Sequence, residues 1–462
     1  MKTFKKSLLA VATLLAAGGA NAAAFQLAEV SSVGLGRAYA GEAAMADNAS
    51  VVATNPALMS LFKTNQFSAG GVYVDSRIHM NGPITVKANL PTGSHTLAST
   101  SAAHNSVVPG SLIPNMYFVA PLNDKFAVGG GMNVNFGLKS EYEHTYSGGV
   151  FGGTTDLSAI NLNLSGSYRV TEGFSVGLGV NAVYARAEIE RRAGVLSNAI
   201  SNAIAASRAG ALPLSPRIAG ALAGFSGVQS DTVVTHLQDK NAWGFGWNAG
   251  LMYQFNERNR IGLAYHSKVD IDFKDRAALS LQRTATGGVA FYVNEGGLTL
   301  HLPGYVEFSG FHQLTDKLAM HYSYKYTQWG RFKNLHATYD NGLVALHKEE
   351  QYSSNSRTAL GFSYDVNDKL TLRAGIAYDE AAAPNTHASA SIPDTDRTWY
   401  SVGATYKFTP NLSIDAGFAH LRGKKLNFTE KQSLAGGLIE VQADYQSKAS
   451  ANLYGLNLNY SF

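Results

Sequence analysis

Apolar and polar residues alternate one for one over long stretches of this chain. From Ile160 to Val170 the even positions are Ile160, Leu162, Leu164, Gly166, Tyr168 and Val170, and the odd ones are Asn161, Asn163, Ser165, Ser167 and Arg169. A period of two places the two sets on opposite faces of a β-strand. The same alternation runs from Met320 to Thr327 and from Tyr400 to Phe408. A soluble sandwich and a membrane barrel share this pattern, the apolar face meeting a core in one and lipid in the other. The connections separate them. Six short polar connectors, at 122–125, 171–173, 256–259, 315–317, 367–369 and 409–411, alternate with seven longer segments at about 81–112, 144–156, 193–231, 280–296, 340–349, 381–394 and 431–441. Tight turns at one end and long loops at the other describe an up-and-down meander, and seven hairpins make fourteen strands. The expected fold is all-β: a fourteen-stranded antiparallel transmembrane barrel over residues 64–462, with both termini on the short-turn, periplasmic side.

The last strand alternates to the end of the chain and stops on Phe462; an amphipathic last strand ending in Phe resembles the assembly signal of bacterial outer-membrane proteins, which implies the barrel assembly machinery as a partner. One loop breaks the β pattern. Leu196, Ile200 and Ile204 recur every fourth residue, Pro213 and Pro216 interrupt, and Ile218, Leu222 and Phe225 follow, which predicts two short amphipathic helices outside the membrane. They either pack on each other or form an outward apolar groove for a ligand.

Residues 23–63 alternate nowhere. The stretch from Phe25 to Phe62 is mostly Gly, Ala, Ser and Asn and cannot bury enough apolar surface alone to offset its ordering entropy. It is therefore read as a plug, or hatch, inside the barrel. Ahead of it, Lys2, Lys5 and Lys6, the apolar run from Leu8 to Ala17 and Ala20-Asn21-Ala22 form a secretory signal peptide over residues 1–22. Its removal lowers the formal charge from +4 to about +1, which argues against nucleic acid as a partner. With no Cys in the chain there is no disulfide scaffold and no thiolate metal site. The 47 Gly, 23 Tyr and 22 Phe suit a barrel with aromatic girdles.

Catalytic and cofactor motifs are absent from the pattern. Gly34-Leu35-Gly36-Arg37 lacks the strand, the third Gly and the βαβ context of a dinucleotide site. The 13 His show neither HExxH nor paired-carboxylate spacing, so no metal or other cofactor and no enzyme activity are expected. Asn55-Pro56-Ala57, with SSVGLGRAYAGEAAMADNAS upstream of it, resembles the N-terminal hatch of the FadL-type outer-membrane transporters of long-chain fatty acids and other hydrophobic compounds. The likeness continues through Pro114-Asn115-Met116, the segment 152–157, Asn161-Leu162-Asn163-Leu164-Ser165-Gly166, the segment 181–187, the segment 243–250, Ile392-Pro393-Asp394 and the terminal Phe462.

That resemblance implies a plugged fourteen-stranded barrel in the Gram-negative outer membrane, a monomer in contact with lipid and lipopolysaccharide. It implies passive uptake: an apolar acid caught at the outer loops, held in a tighter pocket, and released sideways through the barrel wall. A long acyl chain gains roughly 0.8 kcal/mol per buried CH₂, so a dry route into lipid suits it better than a watery pore. The resemblance places ligand contacts at Arg191, Lys348 and Phe25, although the two cations could equally be rim charges. It makes Asn55, Pro56 and Ala57 the gating turn of the hatch, where an ordinary turn before the first strand is the alternative. It puts the lateral opening at Phe136 and Gly137, in a strand that also carries Gly129, Gly130 and Gly131. Glycines there mark a bulge or make room for the plug. Because Phe126, Val128, Met132, Val134, Phe136 and Leu138 hold one phase, the residues themselves do not show a kink. Long-chain fatty acids are the expected ligand. Monoaromatic hydrocarbons are the alternative within the class, and a structural barrel or adhesin the alternative outside it.

Overall fold

The computed structural model describes residues 25–223, 225–284, 289–434 and 437–462; the expected signal peptide lies outside them. Fourteen strands close into one barrel: β1 Gln66–Asn81, β2 Ser111–Pro121, β3 Phe126–Glu141, β4 Thr154–Arg169, β5 Phe174–Arg192, β6 Val233–Asn256 and β7 Asn259–His266, then β8 Tyr305–Gln313, β9 Leu318–Thr327, β10 Asn355–Asp365, β11 Leu370–Asp379, β12 Arg397–Lys407, β13 Leu412–Gly423 and β14 Ile439–Ser461. Each pairs antiparallel with its neighbours, and β1 closes on β14 from Gln66↔Ser461 to Asn81↔Gln446. Closure pairs the first strand with the last, so neither is left as a free edge.

The short turns sit together at one end, and their side chains explain them. Asn123 Oδ1 accepts from the amides of Lys125 and Phe126, Asn367 Oδ1 from Lys369, and the hydroxyls of Thr171, Thr315 and Thr409 from Phe174, Leu318 and Leu412. Asx and hydroxyl turns of this kind fix tight reversals. At the other end the expected loops are largely further hairpins. Pro83–Leu90 pairs with Gly93–Ser101, Val269–Arg283 with Val289–Leu302, and Asn334–Tyr339 with Val344–Glu349. The helices of the β5–β6 connection are Val195–Arg208 and Pro216–Ala223. Val195, Leu196 and Ala199 of the first are buried against residues such as Met80, Tyr142 and Tyr146. Its apolar edge therefore turns into the barrel mouth, not outward as an open groove.

Leu162 and Leu164 are exposed while Asn161, Asn163 and Ser165 are buried, so the polar face of β4 looks inward. Leu178, Val180, Phe245, Val402 and Leu456 extend the exposed apolar band, with Trp243 and Trp247 towards the loop end and Phe126, Tyr168, Phe408 and Tyr460 towards the turn end. An apolar belt between aromatic girdles is the outside of a lipid-embedded barrel; no described helix is long and apolar enough to cross a membrane.

Phe462 closes the seam. Its amide donates to the Asn65 carbonyl at 3.0 Å and its carbonyl accepts from the Asn65 amide at 3.1 Å, while its ring stacks on Tyr460 at 5.5 Å. Deleting Phe462 is expected to lower the yield of heat-modifiable barrel in the outer membrane several-fold. Wild-type yield on a semi-native gel would show that neither the seam nor an assembly signal depends on it.

Candidate functional site

Residues 25–62 fill the lumen. The segment makes only short helical pieces, Ser32–Leu35, Val51–Thr54 and a 3₁₀ turn at Pro56–Leu61, and docks its backbone directly on the wall. A Cβ at Gly262 would stand 1.8 Å from the Ala43 carbonyl oxygen, so only glycine admits the plug there. Buried Arg37 ties the plug to itself, reaching Glu42 at 2.8 Å and Asp47 at 2.7 Å.

Asn55 is fully buried at the base of this segment. Its Nδ2 donates to the carbonyls of Ala43 at 2.7 Å and Leu251 at 3.0 Å, and its Oδ1 accepts from the Ala57 amide at 3.0 Å. The side chain thus caps the 3₁₀ turn, Pro56 occupies the first position where its missing N–H costs nothing, and one amide joins two hatch segments to β6. The tripeptide is a latch between hatch and wall.

The wall itself is incomplete beside β3. Strand β2 pairs with β3 only from Pro121↔Ala127 to Met116↔Met132, whereas β4 continues to Glu141↔Thr154. The β3–β4 register shifts between Val134 and Phe136. One extra residue reverses the facing of everything beyond it, so Phe136 and Leu138, in lipid-facing phase by the sequence pattern, turn inward and are buried. A run of one apolar phase conceals this bulge at Asn135 from a reading of the residues alone. Gly129 answers the other glycine reading, since a Cβ there would lie 2.6 Å from Met59 Sδ of the plug. The uncovered edge of β3 is taken by the start of the hatch. The Leu27 amide donates to the Asn135 carbonyl at 2.8 Å, the Gly137 amide donates to the Phe25 carbonyl at 2.9 Å, and Gln26 bridges Phe136.

Arg191 and Lys348, far apart in sequence, line one cavity of about 530 Å³ at the loop end, with Phe151, Leu196, Val234, Leu335 and Leu346 as apolar walls. This volume is in the range of small-molecule pockets. Their electrostatic situations differ. Lys348 Nζ lies 2.6 Å from Glu430 Oε1 and also donates to the hydroxyls of Ser389 and Ser391. Arg191 donates to the carbonyls of Thr154 and Glu190 and to the Thr155 hydroxyl and meets no carboxylate among the described residues. Next to Lys348, Glu350 is buried and neither carboxylate oxygen has a hydrogen-bond donor. Burial pushes its carboxyl up to about 7, with Glu430 adding to the rise and Lys348 and Arg191 opposing it.

Phe25 is absent from the cavity lining. It packs edge-on against Trp329 at 4.6 Å, Phe332 at 5.4 Å and Phe136 at 6.3 Å, at the gap in the wall. The two places are nevertheless continuous. Of the residues that line the cavity, Leu335 belongs to the same buried cluster as Trp329, Phe332, Tyr352, Phe25 and Phe136, and half-buried Leu346 packs against it. Sequence reasoning missed Trp329, Phe332, Glu430 and Glu350; they lie in or beside extramembrane hairpins, where the only local signal is an aromatic pair or a lone acid. It also missed the convergence of Glu188, Glu190 and His236, whose ligating atoms lie within 4.8 Å of one another. There Glu190 is held by Arg192 at 2.6 Å and Glu188 by His236 at 3.3 Å, so internal pairing accounts for the group.

Comparison with known proteins agrees with this architecture. Residues 13–462 match the model of the outer membrane protein transport protein family (OMPP1/FadL/TodX). The chain is 63% identical to outer membrane protein P1 of Haemophilus influenzae, with 100% of both chains covered. It is 42% identical to the long-chain fatty acid transport protein of Escherichia coli O157:H7, over 99% of each. Among solved structures, a Pseudomonas aeruginosa FadL homologue superposes with a TM-score of 0.76 at 22% identity, covering 95% of this chain and 100% of that one. The chain belongs to the OMPP1/FadL/TodX family of outer-membrane transport proteins for hydrophobic compounds, and it is a channel, not an enzyme.

Proposed function

We propose that this barrel takes up long-chain fatty acids by passive diffusion, holding the carboxylate at Arg191 and releasing the molecule sideways through the wall at Phe136 and Gly137. The observation that carries the reading is the unbroken apolar cluster from the cavity of Arg191 to Phe25 and Phe136. It offers an acyl chain a dry path from a cationic seat to an opening into lipid. On this reading residues 23–63 are the hatch, Phe25 to Leu27 are its bolt across the gap, and both termini face the periplasm. The name of the Escherichia coli relative points the same way.

Arg191 is the better head-group contact of the two cations, because Glu430 already neutralises Lys348. A buried anion needs a cation with free donors, and a hydrogen bond to a charged group contributes about 1.5–3 kcal/mol. Arg191→Gln is therefore expected to weaken oleate binding and uptake by roughly 10- to 150-fold and to leave toluene uptake unchanged. Equal losses for both would mean that the cavity does not read a carboxylate. Toluene entering faster than oleate in the wild type would favour monoaromatic hydrocarbons as the cargo.

A further inference from the structure

Arg191, Lys348 and Lys431 line the head-group cavity together with Glu430 and Glu349, and Glu350, buried just outside that lining, is within electrostatic reach of Arg191, Lys348 and Glu430. Lys431 and Glu349 are exposed; among the other four groups one cation–carboxylate contact is made, between Lys348 and Glu430 at 2.6 Å. Glu430 is further fixed by the Ala390 amide, which donates to Oε2 at 3.0 Å, so it is a seated partner. Glu350 is different. It follows Lys348 and Glu349 at the end of the hairpin, its amide is held by the Lys333 carbonyl, and its carboxylate is buried with no donor on either oxygen. Two residues on, the Tyr352 carbonyl accepts from the Lys333 ammonium.

A fatty-acid anion brought to Arg191 would join Glu349, Glu350 and Glu430 against Arg191, Lys348 and Lys431, making four carboxylates to three cations in and beside the cavity. An ionised carboxylate out of water and without donors is costly, and a second anion nearby raises that cost, as in any pair of carboxylates sharing a site. The least costly adjustment is a proton on the carboxylate that nothing holds.

We propose that Glu350 is the proton acceptor of this cavity, so that an amphiphilic anion binds together with one proton from the medium. The inference rests on the assignment of Arg191 as the head-group seat. The balance is simple: the ligand anion, the Glu350 carboxylate and one proton become the bound anion and a neutral Glu350 carboxylic acid, with no bond of the ligand altered. Below about pH 7 the free protein already carries that proton, and affinity is flat. Above it, each bound anion must draw a proton from solution, and affinity falls about tenfold per pH unit until the raised value in the complex is passed. A neutral hydrocarbon draws none.

The test uses the full barrel in phosphatidylcholine nanodiscs and decanesulfonate, an amphiphile that stays ionised throughout, so that any proton belongs to the protein. Titration calorimetry from pH 6 to 9 in two buffers of different ionisation enthalpy reads affinity and proton uptake together, with empty nanodiscs subtracted. The expected result is near-constant affinity below pH 7, a loss approaching tenfold per unit above it, and uptake approaching one proton. Glu350→Gln should remove both effects while keeping the low-pH affinity. His347 and His387 also line the cavity, so His347→Gln and His387→Gln must keep the slope. PH-independent binding in the wild type, or a slope that survives Glu350→Gln or is lost in either histidine variant, overturns the proposal. Arg191→Gln separates the two readings: if it binds decanesulfonate as well as the wild type does, the head-group assignment fails, whereas loss of binding there with a flat wild-type profile sinks only the proton coupling.

Discussion

Oxidising a barrel that carries Gln26→Cys and Phe136→Cys is expected to cut oleate uptake to the level of cells without the protein, and reduction is expected to restore it. The two positions form an antiparallel bridge, so their Cα atoms stand about 4.5–5.5 Å apart, within the span of a disulfide. The native chain has no Cys, which leaves the engineered pair no other partner. The logic is geometric. The segment that starts the hatch covers the edge of β3 that β2 leaves open beyond Met132, held by two backbone hydrogen bonds, a bond from the Thr327 hydroxyl to Gln26 Oε1 at 3.2 Å, the burial of Leu27 and the edge-on packing of Phe25. Hydrogen bonds contribute about 1 kcal/mol each, so this bolt is among the easier parts of the molecule to lift, and lifting it is what lateral release requires. The reduced double variant controls for the loss of the Phe136 ring. Full uptake through a protein whose crosslink is confirmed by mass would show that cargo leaves by another route.

The barrel was legible because membrane strands write their geometry into every second residue. Asn161, Asn163 and Ser165 point inward and Leu162 and Leu164 outward, as their alternation requires, and Asn or Thr at the turns marks each reversal. The fourteen strands follow from counting those turns. The gap in the wall was illegible for the same reason. A bulge is a one-residue slip, and with apolar side chains at Val134, Phe136 and Leu138 on both sides of it, hydropathy continues in phase while the backbone does not. The outer hairpins escaped because they obey no membrane. Strands such as Val344–Glu349 have mixed faces, and their pairing is set by contacts to distant segments, as when Lys348 meets Glu430 across 82 residues. Arg191 and Lys348 were reached through the family resemblance. Glu430, the carboxylate that decides which of the two is free, could be found only by seeing what lines the cavity, and Glu350 only by seeing what is buried beside it.

Asn55→Ala is expected to loosen the hatch by about 3 kcal/mol while leaving the barrel assembled. The side chain makes three buried hydrogen bonds, to Ala43, Leu251 and Ala57, and each contributes about 1 kcal/mol net. Removing them leaves two carbonyls and an amide without those partners, so the loss is felt only while the hatch is seated. None of the three bonds joins barrel strands to one another. The strand ladder, closed from β1 to β14, therefore keeps its pairing, and heat-modifiability should match the wild type. A shift of about 3 kcal/mol raises the population of the unseated hatch by roughly two orders of magnitude. That population can be read without any ligand, from amide hydrogen exchange across residues 43–61 and from ion conductance in planar bilayers, where the seated plug should pass almost no current and the variant should open in bursts. Asn55→Asp supplies the internal control: it keeps the acceptor for the Ala57 amide and the size of the side chain but loses both donor bonds, so it should fall between wild type and Asn55→Ala at low pH and be the worse of the two where the buried carboxylate ionises. An Asn55→Ala barrel that fails to assemble would make the residue part of the folding core. One that assembles with wild-type exchange and no added conductance would show that the hatch is held by its contacts with the wall glycines alone.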